Sequence, residues 1–348
     1  MKRIEEGVYQ LVSPFPQHRL EDAYRVRTAR EQDPRSSRGL AYILPYFLSS
    51  RGDNLLVDCG WNTDESMRAL AAQLREAGAS LMELRRLVIT HTHPDHCGLA
   101  GRIKGQSGCE LAVHELDLGR IESQCASDEH IAAIFDRWCD SCGVPHEDRT
   151  ALAYEELPRS LFATPFDIDM CLKGGEVLQV GEFDLEIVWT PGHTPGHVCL
   201  FERTRGILFT GDHVLPWITP NVSLDPYQRP NPLQDFLESL KKLRSLPVKR
   251  MLPAHEWDTA DFSERVSQLL DHHEARLHEI SQILSSIVGG TALDVARQVR
   301  WTTGSYARFT QWMQRAALGE ALAHLIFLAS QGRAIQYQDG GLQYFQAN

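Results

Sequence analysis

The chain has 348 residues and a formal net charge of −11, with 43 % hydrophobic and 23 % charged residues. That is an ordinary globular composition, long enough for a large core and one small extra domain, and its acidic balance argues against polyanions as default partners and weakly against acyl-CoA. No stretch approaches the roughly 20 apolar residues of a membrane span, and Met1–Glu6 lacks an apolar signal core, so a cytoplasmic location and reduced thiols for the eight cysteines are expected.

Taken in chain order, the apolar runs Val8–Val12 and Leu40–Leu48 read as strands. The polar, charged residues 17–38 between them read as an extended hairpin loop, either at a site rim or simply on the surface. Leu55-Leu56-Val57 is a strand that turns at Asp58-Cys59-Gly60. Leu87-Val88-Ile89 reads as a buried strand. Directly after it comes Thr90-His91-Thr92-His93-Pro94-Asp95-His96. Neutral imidazole and carboxylate suit zinc and similar divalent ions. Alternate residues His91 and His93 can point the same way, while Asp95 and His96 can face a second ion. Cys97 reads as a packed small residue.

Beyond the strand-like Leu111-Ala112-Val113, residues 115–172 read as mostly helical, over Asp117–Ser123, His130–Cys142 and Tyr154–Leu161. Ile131, Ile134, Phe135 and Trp138 repeat there at helical spacing. Cys139 and Cys142 form a lone CxxC without a second pair, which favours packing over a metal or redox site. Phe183, Leu185 and Ile187 alternate as a strand before Trp189-Thr190-Pro191-Gly192-His193-Thr194-Pro195-Gly196-His197. Ile207–Gly211 is a strand ending at Asp212, and Met251–Ala254 is one ending at His255. Candidate ligands thus recur at strand ends beside Gly or Pro, where a rigid scaffold displays side chains on loops. Trp217 and Tyr227 are candidates for a substrate pocket or for packing. Arg102/Lys104 and Lys241/Lys242/Arg244 read as solvated clusters.

Residues 261–348 differ in character. Val266, Leu269, Leu270, His273, Leu277, Ile280, Leu284 and Ile287 mark a long amphipathic helix that Gly289-Gly290 ends. Thr291 can cap a second helix, Ala292–Val299, and a third runs near Thr310–Ser330. Two alternating runs around Asp339-Gly340 predict a hairpin. The segment has seven Arg, no Lys and eight acidic residues. That near-neutral balance suits a packing or homodimerisation module better than a nucleic-acid reader. His272, His273 and His278 lie on the first helix, part surface and part interface.

The HxHxDH…H…D…H series resembles the metallo-β-lactamase superfamily, and its glyoxalase II-type hydrolases in particular, over roughly residues 5–260. The resemblance implies an α+β fold, an αββα sandwich over residues 1–260 in which 115–172 form a helical cap. It implies one metal on His91, His93 and His193, a second on Asp95, His96 and His255, and Asp212 bridging the pair. Asp58 matches a residue that orients a ligand imidazole through its other ring nitrogen. The implied cofactor is two divalent ions, zinc by preference, with iron or manganese also suited to these donors. Residues 261–348 resemble the winged-helix-like C-terminal domain of lactamase-like proteins related to the mitochondrial endoribonuclease of the superfamily.

The zinc β-lactamases of the best-known kind carry Cys where this chain has Asp212, so the resemblance points away from β-lactams. The flavodiiron branch has Glu where this chain has Asp95, which discounts redox chemistry. Two ions about 3.5–4 Å apart share a water and lower its pKa to near neutrality. The resulting bridging hydroxide attacks an electrophilic carbon or phosphorus, with Asp95 implied as the catalytic proton acceptor. The expected function is hydrolysis of a small-molecule thioester or related activated acyl compound. The other readings are an endoribonuclease or phosphodiesterase, and a regulatory or binding module with vestigial activity.

Overall fold

Period-two alternation of apolar residues builds two facing sheets. The computed structural model describes residues 1–16, 42–124, 128–152, 166–256 and 261–348. The loop expected at 17–38 and the helix expected at Tyr154–Leu161 lie outside the described residues. Strands run over Lys2–Glu5 (β1), Val8–Gln10 (β2), Ser13–Pro14 (β3), Tyr42–Ile43 (β4), Tyr46–Ser50 (β5), Asp53–Val57 (β6), Arg86–Val88 (β7), Glu110–His114 (β8) and Met170–Leu172 (β9). The second half adds Val177–Val180 (β10), Phe183–Trp189 (β11), Val198–Glu202 (β12), Ile207–Gly211 (β13) and Arg250–Pro253 (β14). The first sheet has the order β1-β2-β5-β6-β7-β8-β9 and the second β10-β11-β12-β13-β14, while β3 and β4 pair separately.

β6, β7, β8 and β9 are mutually parallel. Parallel neighbours need crossovers, and helices α1 (Asp64–Glu76), α2 (Pro94–Cys97) and α3 (Ala100–Ser107) lie in the first two. The C-terminal ends of β6, β7 and β8 therefore lie side by side, and the turns after them carry Asp58, His91–His96 and Asp117. In the second sheet β11 and β12 are antiparallel, as are β12 and β13, while β13 and β14 are parallel. That arrangement brings the loop after β11, Asp212 after β13 and His255 after β14 to one edge. The two edges meet where the Val198 amide donates to the Thr90 carbonyl at 2.9 Å.

Leu48, Leu55 and Val57 of one sheet and Leu185, Ile187, Leu200 and Phe209 of the other fill the space between them. On the outer face of the first sheet, Phe47, Leu56, Leu87 and Leu111 pack against Met67, Leu70, Leu74 and Ile103 of α1 and α3. The result is an α+β, αββα sandwich.

The described part of the insertion holds α4 (Leu118–Gln124), α5 (Asp128–Cys142) and α6 (His146–Leu152), and α7 (Pro232–Arg244) precedes β14. The C-terminal helical domain follows as α8 (Phe262–Ser286), α9 (Ala292–Gln298) and α10 (Gln311–Ser330), closed by the hairpin β15 (Ala334–Asp339) and β16 (Leu342–Ala347). Asp261, Thr291 and Thr310 cap these helices as their side chains accept from the amides of Glu264, Asp294 and Met313. The hairpin turns on Gly340 and Gly341, at φ 56 and 85, the pair of positive values that a two-residue turn of this kind requires. One continuous apolar cluster joins the outer face of the second sheet, through Phe201, Leu208 and Met251, to α7 and to Val266, Leu277, Leu318 and Leu325 of the C-terminal helices. Trp138, Cys139 and Cys142 of α5 are buried in the same cluster, and burial pushes the Cys139 thiol up to about 11. The CxxC is thus packing. Ile131 of the predicted stripe instead stands exposed. No helix among the described residues is long and apolar enough to cross a membrane.

Candidate metal centre

The seven ligand candidates come from both sheets and converge at their shared edge. His91, His93 and His193 have nitrogen atoms within 4.8 Å of one another, and the same holds for the ligand-type atoms of Asp95, His96 and His255. In the first group, Nδ1 of His93 lies 2.9 Å from Nε2 of His91 and 3.0 Å from Nε2 of His193. In the second, Oδ2 of Asp95 lies 3.4 Å from Nε2 of His255 and 3.8 Å from Nε2 of His96. Asp212 stands between them. Its Oδ1 is 3.3 Å from His255 and 3.5 Å from His96, and its Oδ2 is 3.6 Å from His193.

The far side of each ring fixes which nitrogen faces inward. Nδ1 of His255 donates to the Tyr42 carbonyl at 2.8 Å, and Nδ1 of His193 donates to the Asn221 carbonyl at 2.8 Å. Nδ1 of His96 donates to Oδ2 of Asp58 at 2.8 Å. Asp58 also accepts from the Thr90 amide and hydroxyl, both at 2.8 Å. The Thr90 hydroxyl oxygen, 3.1 Å from Nδ1 of His91, is thereby left to accept from that ring. In these four rings Nε2 is the atom turned inward, toward His93 Nδ1 in His91 and His193 and without a hydrogen-bond partner among the described residues in His96 and His255. Asp58 itself sits at φ 57, a left-handed conformation that Asp tolerates better than most residues.

The electrostatics differ between the two groups. Burial, and then the neighbouring imidazoles, hold His91 and His93 well below the usual histidine range. Burial also lowers His193, against the opposing pull of Asp212. These rings stay neutral, as metal ligands must be. Burial opposes charge on His96 and His255 as well, but the carboxylates prevail there. Asp212, Asp58 and Asp95 raise His96, and Asp212 with Asp95 pushes His255 up to about 10. Burial works against the Asp212 carboxylate, yet His255 and His96 hold it well below its usual range.

The chemistry of the set fits divalent cations. Nε2 of His96, Nε2 of His255 and Oδ1 of Asp212 are buried without a hydrogen-bond partner among the described residues. Such orphans are costly, and a shared cation satisfies all three together.

Sequence reasoning missed several supports. Thr90 is one. His197 is another: its Nε2 accepts from the Asp212 amide at 3.1 Å and its Nδ1 meets the Thr190 hydroxyl at 2.8 Å. A Cβ on Gly211, which lies at φ +50, would come within 2.6 Å of that Nε2. Buried Asp117 is a third. Glu256 holds the segment after Asp212, as its Oε2 accepts from the amides of Trp217 and Ile218 at 2.7 and 3.2 Å. None of these has a spacing signal that sets it apart in the sequence. Of the two pocket candidates, Trp217 is 49 % exposed on the Glu256-held segment. Tyr227 lies under the Arg120 guanidinium, 5.4 Å from its ring centre.

Comparison with known proteins agrees with this geometry. The model of the metallo-beta-lactamase superfamily matches residues 38–255. A probable metallo-hydrolase of Bacillus subtilis is 26 % identical over 304 residues, 85 % of this chain and 91 % of the relative. An atrochrysone carboxyl ACP thioesterase of Aspergillus fumigatus is 22 % identical over 70 % of this chain and 59 % of its own length. Among solved structures, a metallo-beta-lactamase family protein from Thermus thermophilus superposes with a TM-score of 0.78 at 27 % identity, covering 99 % of this chain and 100 % of that one.

Proposed function

Because the chain belongs to the metallo-β-lactamase superfamily, whose members use metal ions, typically zinc, we propose that it is a dinuclear zinc hydrolase acting on a thioester or related activated acyl compound. The observation that carries this reading is Asp212, with one oxygen toward each of two separate ligand groups. Two bound divalent ions would supply an acidified water and polarise the substrate oxygen. In this reading His91, His93 and His193 would hold one ion and Asp95, His96 and His255 the other, with Asp212 contributing to both groups.

The chain's own residues do the rest. Backbone carbonyls of Tyr42 and Asn221 hold Nδ1 of His255 and His193 as donors, so that Nε2 faces inward. Asp58 does the same for His96. The Asp95 carboxylate, itself one of the second group, would accept the proton that leaves the attacking water. Trp217, beside the Asp212 turn, and Tyr227, on the Asn221 segment, are the candidates for contact with substrate.

Support for an acyl substrate comes from the fungal thioesterase relative, while the carboxylate at position 212 counts only against β-lactams. The net charge of −11 disfavours polyanions. We read the C-terminal helices and hairpin as a winged-helix-like packing module, since their apolar face is buried in their own chain. A panel of acyl thioesters of varied chain length, run beside single-stranded RNA, tests the assignment. Turnover of thioesters is expected. Efficient RNA cleavage that fades at raised salt, without thioester turnover, would reverse it in favour of a phosphodiesterase.

A further inference from the structure

We propose that Asp117 is a positioning residue for one ion of the pair, the one assigned to His91, His93 and His193. The inference rests on the dinuclear reading above. Asp117 ends the short turn Glu115–Asp117 that follows β8, and it is 1 % exposed. Its Oδ2 accepts from the Thr92 amide at 3.0 Å, the Thr92 hydroxyl at 3.2 Å and the Thr194 hydroxyl at 3.0 Å. Its Oδ1 accepts from the Gly196 amide at 2.6 Å.

These donors belong to two loops of two different sheets. Thr92 lies between His91 and His93. Thr194 follows His193. One carboxylate therefore ties together the two segments that must meet to form the three-imidazole group. The close approach depends on Gly196, where a Cβ would come within 2.8 Å of Asp117. An ionised carboxylate suits the position because both oxygens only accept. Asn in its place turns an N–H toward one set of donors.

The other group is braced elsewhere. His96 leans on Asp58, and His255 on the Tyr42 carbonyl. Asp95 and His96 lie on α2, whose first turn is closed by the His96 amide donating to the His93 carbonyl at 3.0 Å. Asp58 braces His96 directly and reaches His91 only through Thr90, whereas Asp117 ties together the two loops that carry His91, His93 and His193.

The test compares Asp117→Asn with Thr194→Val, which removes a single bond of the set, and with two reference variants, His193→Ala and His255→Ala. Each protein is stripped, titrated with Co²⁺ and read by its visible absorption spectrum and by competition with a chelator. Circular dichroism and thermal melting monitor the fold. Asp117→Asn should weaken one ion by about 10–100-fold, the effect usual for groups that orient ligands, and leave the other unchanged. Its residual cobalt spectrum should coincide with that of His193→Ala and not with that of His255→Ala. Thr194→Val should weaken the same ion by less. If Asp117→Asn does not fold, Thr194→Val decides alone.

Wild-type affinity for both ions in the folded variants overturns the inference, and so does a loss that matches His255→Ala. A wild-type protein that holds only one ion overturns instead the dinuclear reading, before any variant is compared.

Discussion

Asp58 and His96 form a buried pair at 2.8 Å, with side chains 3 % and 0 % exposed. The carboxylate comes from the turn after β6 and the imidazole from α2 after β7, so the contact joins two neighbouring strand ends. It fixes Nδ1 of His96 as the donor and turns Nε2 inward. Replacing Asp58 by Asn keeps the shape but removes the charge that holds the ring. Metal affinity or turnover should fall by about 10–100-fold, with a native circular dichroism spectrum. Retention of metal through dialysis against a chelator, together with kcat, measures this. An unchanged protein would mean that the Thr90 contacts suffice.

Asp212 makes a second prediction, about stoichiometry. Protein purified without chelator should approach two equivalents of divalent metal by elemental analysis. Asp212→Ala takes an oxygen from each group and should lower that content and abolish hydrolysis. A fully active protein with one tightly bound ion would rule out the two-ion mechanism.

The candidate ligand set was legible because its chemistry is local. His91, His93, Asp95 and His96 fall within six consecutive positions, and His193, Asp212 and His255 each follow an apolar run. The sandwich followed from the family resemblance that this series carries, and the C-terminal helices from the Thr291 cap, the Gly289-Gly290 stop and the apolar stripe. The braces were not legible. Asp117 is one acidic residue at the start of a helical stretch, and its value depends on a loop whose Thr194 lies 77 positions away. Glu256 and Thr90 are similar cases. Ile131 kept the helical period of Phe135 and Trp138 yet lies on the exposed side. Periodicity gives the direction of a face but not where the burying surface ends.

Trp138 connects the insertion to the site. Its indole N–H donates to the Leu224 carbonyl at 2.7 Å, three residues beyond the Asn221 carbonyl that orients His193. Trp138→Ala should destabilise the fold by about 3–5 kcal/mol through the lost ring and its cavity. It should also loosen the Asn221 segment, so that metal retention falls with stability. Urea unfolding and metal content measure the two effects. A stable variant with full metal would show that α5 is a surface decoration.

The C-terminal domain carries a stability effect that depends on pH. Glu320 of α10 is only 17 % exposed and lies 3.8 Å from the Arg276 guanidinium. Burial outweighs that cation and pushes the carboxyl from 4.5 up to about 7. Its acid form is therefore favoured in the folded chain. Between the two values the folded state binds more protons than the unfolded one, so stability from this group falls as pH rises from about 4.5 to about 7 and is level above. At about 1.4 kcal/mol per pKa unit, the loss is about 3 kcal/mol. Glu320→Gln keeps the shape without the ionisation. It should be more stable than the parent at pH 8 and nearly equal at pH 4.5. Urea midpoints across that range, on metal-free protein so that ligand titration does not intervene, give the comparison. Parallel curves for parent and variant would show that Arg276 already neutralises the cost of the buried charge.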